Sequence, residues 1–490
     1  MSTVVSTAPS QAPSDGYKRV VLGLLLAAYT CNFVDRTIIA TIGQAIKEDL
    51  ALSDTQLGML GGLYFAILYT VMGIPIARLA ERYSRVNIIA ASVLIWSGFT
   101  ALCGAATNYL TLALCRFGVG LGEAGCSPPS HSLISDYFEP KRRASALAVY
   151  AFGIPLGTMF GAVAGGWIAQ NLSWRMAFVL VGLPGLLIAL AVKLVIREPE
   201  RGVSDTPEVR ARAAAAGVAD HRRGLSREIA EIWAVTKLLL GRWASFHVVM
   251  GVTLASFASY GAAQFVPPHY IRNFGLGLAD VGLIVGLVTG VSAGLGTLMG
   301  GFASDRLARR DSRWYALTPA IGLLLATPLY FAAFGQLSWQ ATALWLLLPG
   351  VLHYTYLAPS FGVIQNMVDV RRRATATAVV FLVVNLVGLG GGPPFTGWLI
   401  DHFAAFNLAN PGAGLLEGLG GMLGADTAAF NAACPGGQGS PACTEAVAAA
   451  TRHGLLITVC FFAWAAVHYF LASFGLAKEL AIHQSDPAQP

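Results

Sequence analysis

Ala77-Arg78-Leu79-Ala80-Glu81-Arg82-Tyr83-Ser84-Arg85 returns, 224 residues on from Glu81 to Asp305, as Gly301-Phe302-Ala303-Ser304-Asp305-Arg306-Leu307-Ala308-Arg309-Arg310. Each stretch closes an apolar run with an acid followed by arginines. Two more echoes keep nearly the same offset. Arg142-Arg143-Ala144-Ser145-Ala146 reappears as Arg372-Arg373-Ala374-Thr375-Ala376 after 230 residues, and Gly166-Trp167 as Gly397-Trp398 after 231. Three echoes at one spacing describe a duplicated unit.

The runs between the echoes have membrane length. The 490-residue chain is 55% hydrophobic and only 12% charged, with a mean hydropathy of +0.61, far from soluble averages. Apolar segments of about 20 residues, enough for a core roughly 30 Å thick, fall near 20–40, 57–77, 86–107, 109–132, 144–169, 176–196, 243–266, 279–303, 314–334, 339–362, 374–400 and 454–476. This pattern predicts an all-α membrane protein with twelve transmembrane helices in two pseudo-symmetric six-helix bundles. The expected order is a tail (1–19), a first bundle (20–196), a linker (197–242), a second bundle (243–476) with a long loop at 401–453, and a tail (477–490). A polar stretch precedes the first run, and Asp35 and Arg36 lie inside it, so it does not read as a cleaved signal peptide.

Charge sets the orientation. Of the lysines and arginines between spans, the loops on the side opposite the termini hold only Lys47, Arg175, Arg272 and Arg452. Basic loops stay cytoplasmic, so both termini are expected inside a multi-pass plasma (inner) membrane protein. The net charge of +6 then reflects topology and anionic lipid, and gives no support for a nucleic-acid partner. The Arg/Glu/Ala-rich linker reads as a tether with an amphipathic surface helix from Leu225 to Lys237. Cys434 and Cys443 share the outer loop, in a disulfide-permissive compartment, either bridged or as two surface thiols. No metal spacing, Ser-His-Asp ordering or phosphate-cradling loop is evident; the expectation is a monomer without a cofactor, and not an enzyme.

Four charges interrupt the apolar runs: Asp35 and Arg36 in the first, Arg116 and Glu123 in the fourth. A charge at bilayer depth costs about 3 kcal/mol or more and persists where it is paired or faces water. At 1.5 Å per residue, Asp35 lies about 22 Å along its helix and Arg116 about 10 Å below the outer surface, at similar depth. Glu123 follows two turns deeper on the face of Arg116. Arginine keeps its proton, so a movable proton sits on Asp35 or Glu123. A parallel repeat places a substrate site between its halves. Asn32, Tyr64, His131, Tyr150, His247, Tyr260, Gln264, Tyr354 and Asn385 are the polar candidates for lining it.

The two acid–arginine loops resemble the signature loop of the major facilitator superfamily. That resemblance implies a cytoplasmic latch of Glu81, Arg82 and Arg85 with Asp305, Arg306 and Arg309, closed when the cavity opens outward. Ala77 and Ser84 stand where the family usually has glycine. Asn32-Phe33-Val34-Asp35-Arg36, Arg116-Phe117-Gly118-Val119-Gly120-Leu121-Gly122-Glu123-Ala124, Ser135-Asp136-Tyr137-Phe138 and Tyr150-Ala151-Phe152-Gly153-Ile154-Pro155-Leu156-Gly157 resemble the spinster-like branch. This implies a proton-coupled, alternating-access secondary transporter of amphipathic lipids such as sphingolipids or lysophospholipids, with Asp35, Glu123, Arg36 and Arg116 coupling proton to substrate. Two readings stay open beside it: an exporter of organic anions or hydrophobic drugs, and a transporter-like receptor or sensor.

Overall fold

The computed structural model describes residues 14–201, 203–204, 225–368 and 372–484. Most of the linker and parts of both tails therefore lie outside the described residues. The first half comprises α1 (Asp15–Thr41), α2 (Gly43–Asp49), α3 (Asp54–Gly61), α4 (Leu63–Arg82), α5 (Arg85–Cys103), α6 (Tyr109–Glu123), α7 (Ser127–Tyr137), α8 (Pro140–Ala151), α9 (Gly153–Asn171) and α10 (Trp174–Val195). The linker helix α11 (Leu225–Gly241) follows. The second half comprises α12 (Trp243–Phe274), α13 (Leu278–Ala308), α14 (Trp314–Phe334), α15 (Trp339–Tyr354), α16 (Leu357–Asn366), α17 (Arg373–Val383), α18 (Gly390–Ala409), α19 (Leu415–Gly421), α20 (Thr427–Ala433) and α21 (Pro441–Gln484).

Local signals explain where the long helices begin. Ser53, Ser84, Asn108, Ser173 and Ser338 each accept a hydrogen bond from a first-turn backbone N–H, satisfying a donor the helix cannot pair itself. Along α10, Leu183, Leu187, Leu190 and Leu194 form one stripe at helical spacing and are all exposed. In water that stripe would be buried against protein; here it faces the bilayer.

Among the described residues, eleven helical stretches are long and apolar enough to cross a membrane. The fourth span read from the sequence is the exception, because it is split. α6 stops at Glu123 and α7 begins at Ser127 with prolines at 128 and 129 in its first turn, so neither piece alone has spanning length. Similar interruptions occur at Gly62 between α3 and α4 and in a π-helical turn, Val384–Leu389, between α17 and α18. Several boundaries differ from expectation; α12 runs on to Phe274 and α18 to Ala409, past the runs read as 243–266 and 374–400. The linker helix runs on to Gly241, and the last span begins at Pro441 rather than near 454, shortening the irregular part of the 401–453 loop.

The halves meet at the end farthest from the termini. α9 packs along α13, α3 along α18, and α1 along α12. A Cβ on Gly166 would lie 2.3 Å from the Leu278 carbonyl oxygen, and one on Gly397 2.1 Å from that of Asp54. These are the two glycines of the Gly-Trp echo, and each touches the start of a helix in the opposite half. The echo is thus a pair of equivalent close approaches. Farther along α13 toward the termini, a Cβ on Gly290 or Gly294 would meet open space, unlike the close approaches at the other end.

Candidate functional site

Two charged centres emerge. The first holds the four buried charges, and its pairing is selective. Arg36 Nε donates to Glu123 Oε2 at 2.7 Å, the carboxylate being fully buried and the guanidinium 20% exposed. The Arg36 guanidinium also lies over three rings, 4.6 Å from Tyr69, 4.9 Å from Phe65 and 5.1 Å from Phe33. Such cation–π contact contributes about 1–2 kcal/mol per desolvated ring and orients the charge.

Arg116 takes no acid partner. Its Nε donates to the Leu60 carbonyl at 3.2 Å, at the α3–α4 break where the helix leaves that oxygen available. Asp35 is 2% exposed beside Thr100 and Trp96, and its Oδ1, like Glu123 Oε1, Asn32 Oδ1 and Arg116 Nη1, has no protein hydrogen-bond partner. Gly120 and Gly122 let α6 approach so closely, with a Cβ only 2.4 Å from the Phe65 carbonyl and 2.5 Å from the Trp96 nitrogen. The site can therefore hold one ion pair and keep a second carboxyl poised next to it.

The second centre was not expected from sequence. Asp54, at the start of α3, receives Lys47 Nζ at 2.5 Å and Arg272 Nη2 at 2.6 Å. Arg272 Nε also donates to Gln44 Oε1, and its Nη1 to Thr451 Oγ1, both at 2.8 Å. Asp401 of α18 accepts from the Asp54 and Thr55 backbone N–H groups, each at 2.8 Å, and from the Thr55 hydroxyl at 2.6 Å. Gln44, Lys47, Asp54 and Thr55 belong to the first half; Arg272, Asp401 and Thr451 belong to the second. Lys47, Asp54 and Asp401 are at most 5% exposed. This is a buried, charge-balanced clasp that joins the halves at their closed end.

The expected cytoplasmic latch is not assembled. Glu81, Arg82, Asp305, Arg306 and Arg309 are all exposed, and none of the described ion pairs joins the two loops. Asp305 instead accepts from the Tyr315 hydroxyl at 3.0 Å. Arg85 is the exception, buried against Asp136 and Glu198 within its own half. Glu198, just past α10, also accepts from Ser84 Oγ and the Val86 N–H, 2.9 and 3.0 Å away.

The cavity candidates scatter. Tyr260 of α12 lies within electrostatic range of Arg36 and Tyr69 across the interface. Gln264 presses into the first half, where a Cβ on Gly61 would meet its Oε1 at 2.1 Å. Tyr150 stacks on Tyr29 at 4.3 Å, with the exposed His131 ring edge-on to it. Asn32 and Asn385 are buried, and the Tyr354 ring lies tilted against that of His353, centroids 4.0 Å apart. Two candidates sit elsewhere. The Tyr64 hydroxyl bonds Tyr109 at 2.7 Å inside the first half, and His247 bonds His468 at 2.8 Å beside the exposed Trp243. Cys434 and Cys443 are joined by a disulfide, their Cα atoms 5.7 Å apart.

A duplicated helical bundle with a charged, aromatic-lined centre in its first half and a clasp joining the halves at one end is the architecture of a membrane transporter. The sequence matches the Major Facilitator Superfamily over residues 25–393. A solved structure described as a bacterial homolog of the human lysosomal transporter spinster, inward-facing and unoccupied, superposes with a TM-score of 0.80 at 33% identity, covering 95% of this chain and 99% of that one. An MFS-type efflux pump of Mycolicibacterium smegmatis is 37% identical over 78% of this chain and 84% of its own. Protein spinster homolog 1 of Xenopus tropicalis is 27% identical over 76% and 70%. This chain belongs to the major facilitator superfamily, in its spinster-like branch.

Proposed function

We propose that this protein is a proton-coupled secondary transporter that works by alternating access and carries an amphipathic, lipid-like substrate of the sphingolipid or lysophospholipid class. The observation that carries this reading is the Arg36–Glu123 pair with a second buried carboxyl, Asp35, one residue away. Protonating Glu123 removes the charge that holds Arg36, and a released guanidinium is a ready partner for an anionic headgroup. Phe33, Phe65 and Tyr69 around it supply an apolar and aromatic wall suited to an acyl chain. Net movement follows if Arg36 swaps between Glu123 and the substrate as the halves rock.

The topology belongs to the same proposal. With both termini cytoplasmic, in the plasma membrane, the clasp closes the outer side and the unassembled latch leaves the inner side open. The related efflux pump favours export and keeps organic anions and hydrophobic drugs as the second substrate reading.

Purified protein in liposomes with an imposed pH gradient tests both. The expected result is gradient-driven flux of a labelled lysolipid, reduced at least about tenfold, the equivalent of 1.4 kcal/mol, in Asp35→Asn and in Glu123→Gln. Flux with unchanged pH dependence in both variants sinks the coupling assignment. Transport of cationic dyes or organic phosphates without lysolipid moves the substrate to the second reading, and binding without flux makes the protein a receptor.

A further inference from the structure

The outer loop does more than connect α18 to α21. The disulfide Cys434–Cys443 closes a ten-residue turn whose two sulfur-bearing residues are 0% and 3% exposed. Within it Gly436, Gly437 and Gly439 all have positive φ, at 65°, 83° and 111°. Three left-handed residues in four positions make a turn with much conformational freedom, which side-chain-bearing residues would not adopt. Left unclosed, such a segment would have little reason to hold one shape.

This turn lies on α2 of the opposite half. A Cβ at Gly436 would sit 3.1 Å from the Lys47 carbonyl oxygen and 3.3 Å from the Glu48 Cα; one at Gly437 would sit 3.4 Å from Lys47 Nζ. Lys47 is the ammonium that donates to Asp54 in the clasp. The far side of the same disulfide begins α21, which two turns later presents Thr451 to Arg272. Asn273, next to Arg272, donates to the Ala448 carbonyl of the same segment at 3.2 Å. The stapled turn thus has its root in the second half, beside Arg272, and its tip over the first half's Lys47. Where it lies, it keeps water from a pair whose attraction grows as the surroundings become less polar.

We propose that the disulfide-closed turn 434–443 is a strap over the inter-half clasp, and that breaking Cys434–Cys443 loosens the closed end of the protein. It rests on the alternating-access reading only in that the halves must part at this end. The reporters are the Asp54 and Thr55 amides, which Asp401 holds across the interface and which are released when the clasp opens.

Hydrogen exchange of the intact protein in lipid nanodiscs would be compared for the oxidised protein, the protein with its disulfide reduced (checked by intact mass), Cys434→Ala/Cys443→Ala, and Gly437→Val. The last keeps the bond but displaces the turn from Lys47. The expected result is exchange about tenfold faster at Asp54 and Thr55 in all three perturbed forms, with amides in the core of α5 unchanged. Asp401→Asn serves as the positive control. If Asp401→Asn accelerates those amides while the three strap perturbations leave them within about twofold of the oxidised protein, the clasp stands and the strap proposal falls. If Asp401→Asn also leaves them unmoved, the clasp itself is not what opens, and the strap proposal falls with it.

Discussion

On the proposed alternating-access cycle, Asp401 is a single side chain that sets the balance between two states of the whole protein. Its carboxylate accepts three hydrogen bonds at the start of α3, two of them from the Asp54 and Thr55 backbone donors that a helix leaves unpaired in its first turn. Asp401→Asn keeps the size, removes the charge and leaves a single oxygen to accept. Loss of charged hydrogen bonds of this kind costs about 1.5–3 kcal/mol, and only in the closed state, because an open end gives both partners to water. The expected outcome is a roughly 10–100-fold shift toward the state open at the far end, read as a longer distance between spin labels on the two halves there. No change in that distance distribution would show that the clasp adds nothing to closure. The two centres also differ in how visible they are in the sequence. Asp35, Arg36, Arg116 and Glu123 interrupt apolar runs, and a charge there stands out without knowledge of its partner. Asp54 and Asp401 lie just beyond the runs read as 57–77 and 374–400, where a charge looks like ordinary loop. Lys47 is only seven residues from Asp54, but the partners across the halves, Arg272 and Asp401, are hundreds of residues away, so only folding reveals the clasp. Even at the visible centre, helix rotation decided the pairing: Glu123 took Arg36, and Arg116 turned to the Leu60 carbonyl.

At the scale of elements, the breaks matter as much as the helices. The interruption at Gly62 exposes the Leu60 carbonyl to Arg116, and the α6–α7 break lets Glu123 sit at a helix end inside the bundle. Which breaks serve a charged side chain depends on packing. Glu198 illustrates an element held from outside. It accepts from Ser84, Arg85 and Val86 at the start of α5, tying the exit of α10 to the signature loop. Burial alone would push its carboxyl upward, but the Val86 N–H, Arg85 and Ser84 outweigh it and hold the group below its ordinary value. A depressed folded-state value means the stabilisation is fully present above the unfolded value, about 4.3, and is lost as pH falls through the folded one. Glu198→Gln is therefore expected to lower stability by about 1 kcal/mol at neutral pH, discounted for its partial exposure. Thermal melts of the two proteins should differ equally from pH 7 to about 5 and converge only as the pH falls through the depressed folded-state value; a gap that persists at the acid limit would assign the effect to packing instead.

Across the whole molecule, the duplicated sequence becomes a duplicated contact. Gly166 against Leu278 and Gly397 against Asp54 close the same end from both sides, and Gly58 joins them, with a Cβ there only 2.3 Å from the Pro393 carbonyl oxygen. A backbone oxygen cannot swing aside as a side chain can, so any side chain at position 58 requires the halves to separate. At the other end the acid–arginine loops stand exposed, as the proposed rocking of two rigid halves expects when the far end is shut. On the proposed alternating-access cycle, Gly58→Val is therefore expected to act as a wedge rather than as a simple loss of stability, because parting the halves relieves the clash with Pro393. Overpacking of this size costs about 1–3 kcal/mol in the closed state, enough to shift the balance between states about 5–100-fold. Two label pairs in one preparation read the result: the far-end distance should lengthen while the distance between the loops near Glu81 and Asp305 shortens. Lengthening at the far end without approach of those loops would mean that the halves unfold locally instead of rocking. Unchanged distances at both ends would mean that the glycine contact does not restrain the closed state at all.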